Sequence, residues 1–82
     1  MNLPDAINDD LIEILGHPNF ACGAIARRMR ADGATIPPKS EVEQAHVLFK
    51  LMGIYAEHGA FWRNHAAVWI DEMSERVKAR TA

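Results

Sequence analysis

Apolar residues recur along this chain at intervals of three and four, the spacing that gathers them on one side of an α-helix. No stretch alternates apolar and polar residues as a half-buried strand would. The pattern predicts an all-α fold, a compact bundle of about four helices. The first is expected over residues 4–15, with Pro4 in its first turn and Gly16 just past its end. Leu3, Ile7, Leu11, Ile14 and Leu15 share one face, and Asp5, Asp9 and Glu13 form an acidic stripe opposite. The second is expected over 18–31, because Pro18 pushes His17 to an extended conformation. Cys22, Ile25, Ala26 and Met29 make its core stripe, and Gly33 is the natural left-handed stop.

Residues 34–39 contain Pro37-Pro38 and read as an extended connector. Ser40 and Glu43 then match a capping box, the best-marked helix start in the chain. The third helix is expected over 41–57, closing at His58-Gly59, and the fourth over 60–80. Trp62, Ala66, Trp69, Ile70, Met73 and Val77 form the inner face of the fourth. No repeat or low-complexity segment breaks this series, so residues 1–82 read as a single helical domain.

Helix three is apolar nearly all round. Its polar residues, Glu43, His46, Lys50 and Glu57, occupy a narrow strip, and Val42, Ala45, Leu48, Phe49, Met52, Tyr55 and Ala56 are expected to face the core. Val47 and Ile54 then fall beside the strip, outside that arc. Phe61 and Val68 flank the Trp face of helix four in the same way, and Ile12 lies beside the acidic stripe of helix one. Two readings account for the excess. Helix three is the central helix, wrapped by the other three, or the surplus forms a surface for a second copy or another partner. On the second reading Ile12, Val47, Ile54, Phe61 and Val68 are the candidate partner or dimer interface, and a homodimer through helices three and four is the economical outcome.

Composition narrows the function classes. Eighty-two residues hold one domain. A hydrophobic content of 49% excludes a disordered chain, and a net charge of −2 gives no electrostatic grip on nucleic acid or anionic membranes. The single cysteine cannot form an internal disulfide, which fits a reducing compartment. No apolar run approaches the roughly 20 residues of a membrane span. Met1–Asn8 lacks the features of a signal peptide, so a cytoplasmic protein is expected.

Candidate chemistry is sparse. Glu43 and His46 form a single Glu-x-x-His pair where di-iron bundles use two, and His17, His58 and His65 add no zinc-like spacing. Cys22 sits near the start of helix two, where a dipole can activate a thiol, but its position on the core stripe marks it as a packing residue. No triad or phosphate loop is present. No enzyme activity, metal or cofactor is therefore expected. Arg27, Arg28 and Arg30, with Lys39, are the one dense basic group. With the following turn and helix they give a helix-turn-helix look, and so a rival reading as a DNA-binding regulator. The connector is long for that motif, and Glu41 and Glu43 sit where a recognition helix would read bases. The acidic stripe offers those arginines a partner, in the same chain or in a second copy.

The run Leu11-Ile12-Glu13-Ile14-Leu15-Gly16-His17-Pro18-Asn19-Phe20, continuing to Ile25-Ala26-Arg27-Arg28, resembles small helical accessory proteins of temperate phages and prophages of proteobacteria. Glu43-Gln44-Ala45 and Glu57-His58-Gly59 before Trp62-Arg63 extend the resemblance over most of the chain. It implies a protein that binds a host or phage protein, host-defence components included, as an inhibitor or adaptor in the bacterial cytoplasm. It implies no catalytic residues.

Overall fold

The computed structural model describes residues 4–81, and every regular element in that range is helical: α1 (Asp9–Leu15), α2 (Asn19–Ala31), α3 (Ser40–His58), a 3₁₀ turn (Gly59–Phe61) and α4 (Trp62–Thr81). The all-α class stands. The count of four is refined, because three long helices build the bundle and α1 is a two-turn segment docked on it.

Local chemistry explains the boundaries. Helix one starts five residues later than expected because Asn8, not Pro4, is its cap. Asn8 is extended (φ −123°, ψ 177°), and its Oδ1 accepts the Leu11 N–H at 2.9 Å. Its Nδ2 also donates to the Tyr55 hydroxyl at 2.8 Å, which pins the start of α1 to α3. Ile7 and Leu15, expected inside, are exposed, while Leu11 and Ile14 are buried; Leu3 lies outside the described residues. Helix α2 ends as expected. Gly33 takes φ 107°, and the Ala34 and Gly33 N–H groups donate to the Met29 and Arg30 carbonyls, a Schellman closure. Helix α3 starts without the capping box: Lys39 is the cap residue, with no side-chain bond. Gly59, at φ 58° and ψ −131°, occupies backbone space closed to other residues and turns the chain from α3 into the 3₁₀ turn.

Helix α3 is the hub and packs against α1, α2 and α4. It is rotated relative to expectation. Its buried side is Val47, Leu51 and Ile54, spaced i, i+4, i+7, so Val47 (0% exposed) and Ile54 (8%) lie in the core rather than beside a polar strip. Phe49, expected inside, is 77% exposed, and Ala45 and Ala56 are exposed with it. Val42, Leu48, Met52 and Tyr55 are half-buried against the core. Glu43 turns inward with this phase and meets the Arg30 guanidinium at 2.7 Å. Ile14, Cys22, Ala26, Trp62 and Ala66 complete the cluster around α3, and Ile36 from the connector closes it.

Met73→Ala, at a nearly fully buried position, should lower unfolding stability by about 2–4 kcal/mol. Phe20→Ala, at an exposed one, should change it by less than about 0.5 kcal/mol. Urea titration followed by circular dichroism checks both.

Candidate functional site

Three arginine ties set where the helices sit. Arg63 of α4 reaches α1, meeting Glu13 at 2.6 Å and Asp10 at 2.9 Å. Asp32, at the end of α2, receives Arg76 at 2.8 Å and Arg80 at 2.9 Å from α4, and Arg80 also donates to the Ala31 carbonyl. Arg30 bonds Glu43 and donates to the Ile36 and Pro37 carbonyls at 2.8 and 3.0 Å, which holds the connector against α2. Of the acidic stripe, Glu13 is thus met by Arg63 rather than by the arginines of α2. The basic group is also divided: Arg30 is committed inside the fold, whereas Arg27, Arg28 and Lys39 are exposed.

The hydrogen bonds with Arg63, above all, hold the Glu13 carboxyl below its ordinary value, and Arg76, then Arg80, do the same for Asp32.

Helices α3 and α4 run antiparallel. The rings of His58 and His65 stack at 3.4 Å and 9°, and Lys50 Nζ stands 5.3 Å from the Trp69 ring. Helix α1 lies along one side of this pair, touching α3 at Tyr55 and α4 at Arg63. At about 100° per residue, Phe49 and Gly53 are roughly 120° and 160° round α3 from Tyr55, and Val68 is roughly 140° round α4 from Arg63. Both helices therefore turn a common flank away from α1. Phe49 and Val68 (52% exposed) stand on these turned-away sides, and Phe61 (69%) is exposed in the 3₁₀ turn that joins the two helices. A groove of about 410 Å³ runs along the flank, with Met29, His46, Phe49, Gly53 and Glu57 among its walls.

Of the five residues expected at an interface, Ile12, Phe61 and Val68 are exposed, while Val47 and Ile54 are buried in the core, Ile54 also forming part of the groove wall. Ile12 lies on α1, away from the other two. Sequence reasoning missed Phe49 and Gly53. A Cβ built on Gly53 would meet nothing within 4 Å, although glycine within a helix costs about 1 kcal/mol relative to alanine. An unneeded glycine inside a helix was the available signal.

The remaining candidates are placed as follows. Cys22 has no solvent exposure, and burial pushes its thiol up, away from a reactive thiolate. His17 donates through Nδ1 to the Glu13 and Ile14 carbonyls at the end of α1. Glu43, half of the Glu-x-x-His pair, is taken by Arg30, and His46 is exposed. Among the described residues no group of three or more His, Cys, Asp or Glu could hold a metal ion. No described helix is long and apolar enough to cross a membrane. Trp62 Nε1 is buried and finds no acceptor among the described residues, with the Arg63 guanidinium 4.8 Å from its ring.

Compared with models of known protein families, with curated proteins and with solved structures, the chain matches none.

The depressed carboxylates give folding a pH dependence of definite sign. Their ion pairs contribute fully above the ordinary carboxylate range and are lost as pH falls through it toward the depressed values. The thermal midpoint should therefore drop on acidification below about pH 5. Asp32→Asn and Glu13→Gln should lower the midpoint at neutral pH and flatten that acid limb. Differential scanning calorimetry across pH 3–7 checks it, and an unchanged limb in both variants would count against the assignment.

Proposed function

We propose that this chain is a small non-enzymatic protein-interaction module that works through the α3–α4 flank facing away from α1. One observation carries the reading. The core closes on Val47, Leu51, Ile54, Trp62 and Met73, yet Phe49 on α3, Val68 on α4 and Phe61 in the turn between them remain exposed. Phe49 lines the groove on α3, and exposed apolar surface of this kind marks binding sites on soluble proteins. His46, Lys50, Glu57 and Glu72 give the flank a charged rim, the usual composition of a protein-binding patch with apolar centre and polar edge. The resemblance to phage and prophage accessory proteins is compatible with an inhibitor or adaptor of a host protein, host-defence components included, acting in the bacterial cytoplasm.

The rival reading, a helix-turn-helix regulator, is favoured by the exposed pair Arg27 and Arg28, with Lys39. It loses Arg30 to Glu43, and residues 32–39 separate α2 from α3 where the motif uses a turn of three or four residues. The interaction reading is therefore preferred.

Paired affinity capture tests it, with the wild-type chain and the Phe61→Lys/Val68→Lys double variant as baits. Both positions are exposed, so the variant should keep its thermal midpoint to within a few degrees. A protein retained near stoichiometrically by the wild type and lost from the variant is the expected result. Identical capture by both baits would sink the reading. Salt-sensitive DNA retention abolished by Arg27→Ala/Arg28→Ala would establish the rival instead.

A further inference from the structure

We infer that the occupant of this flank is a second copy of the same chain, docked with its α3 antiparallel to the first across a two-fold axis near Gly53. The inference rests on reading the flank as an interaction surface and adds the identity of what covers it.

Gly53 supplies the first argument. It lies inside α3, takes no positive φ, and has open space where a side chain would stand. The glycine therefore serves neither a turn nor packing within the chain. Its bare backbone leaves room for a surface arriving from outside. Phe49 is one turn earlier and stands 77% exposed on the same side, with Ala56 one turn beyond Gly53 also facing out. The helix thus carries a knob and, next to it, a hole. An isologous interface uses one patch twice, so a patch holding both parts of the contact can complement itself. With the axis level with residue 52, each Phe49 falls opposite residue 55 of the other copy, beside Ala56 and within one turn of Gly53.

Charge selects the same arrangement. His46 and Lys50 lie toward the start of the patch and Glu57 toward its end. Antiparallel pairing brings each Glu57 opposite His46 and Lys50 of the other copy, whereas parallel pairing in register sets like opposite like. Helix α4 extends the contact. Trp69 meets Lys50 and His65 meets His58, so Val68 lies near the level of the axis. Each Val68 then meets its own equivalent, with Phe61 alongside widening the apolar face.

Sedimentation equilibrium on the purified chain is the test. The wild type should be a dimer. Phe49→Asp and Gly53→Gln should each raise the dimer dissociation constant at least about tenfold while leaving the helical circular dichroism of the monomer intact. Glu57→Lys should weaken the dimer, and Lys50→Glu/Glu57→Lys should restore it to within about threefold of wild type, an outcome that a nonspecific apolar contact would not give. Under mild oxidation Val68→Cys should form disulfide-linked dimers that the native chain, whose one cysteine is buried, does not. A wild type that stays monomeric up to about 0.5 mM, or a dimer indifferent to both Phe49→Asp and Gly53→Gln, overturns the proposal. A monomer that still captures a protein through Phe61 and Val68 keeps the interaction reading and removes only this one. A dimer showing the expected responses but capturing nothing keeps this one.

Discussion

A chain this short can wrap its central helix on one side only, and the rest of the architecture follows from which side that is. Helix α3 carries apolar side chains around most of its circumference, and the fold buries the arc of Val47, Leu51 and Ile54 beneath α2 and α4. Choosing that arc leaves Phe49, Ala45 and Ala56 outside. Covering the opposite arc would take another helix of comparable length. Among the described residues the remaining element, α1, is seven residues long and sits on the Tyr55 side. The exposed flank is thus a geometric remainder of closing the core, and the open glycine at its centre makes that remainder usable.

Ion pairs decide the orientation of what is packed around α3, although they contribute little net stability singly. Arg63, Arg30 and Asp32 each bridge elements distant in sequence and each make more than one bond. Their value is directional. An apolar helix that is greasy all round can slide or rotate at small cost, and a fixed charge pair between two helices removes that freedom. Glu43 is the clearest instance: it pairs with Arg30 in the same orientation of α3 that faces Val47 in and Phe49 out.

The parts of the fold legible in the sequence were those set by local chemistry. Gly33 and Gly59 stop helices where their backbone freedom predicts, and the inward row from Trp62 through Ala66 to Met73 is where its period places it. The start of α1 was misplaced because Pro4 reads as a start signal, whereas Asn8 caps the helix and is fixed by a hydrogen bond to Tyr55, distant in sequence. The phase of α3 was misread for a similar reason. A nearly uniform apolar helix has no strong amphipathic axis, so a weak local pattern yields to long-range contacts. Of the surface residues, Ile12, Phe61 and Val68 were recoverable as outliers from a clear stripe. Phe49 was not, since the phase of α3 is set by tertiary packing that its nearly uniform apolar pattern does not encode.

The two tryptophans occupy opposite sides of this division, and that gives the molecule a built-in optical contrast. Trp62 is 3% exposed beneath Arg63 on the α1 side, while Trp69 is only half-buried and lies under Lys50 at the edge of the open flank. An indole's emission responds to the water and charge around it. Trp62 therefore senses the undocking of α1, and Trp69 senses whatever displaces the Lys50 ammonium. The chain carries one reporter for its own integrity and another for the occupancy of its outer face.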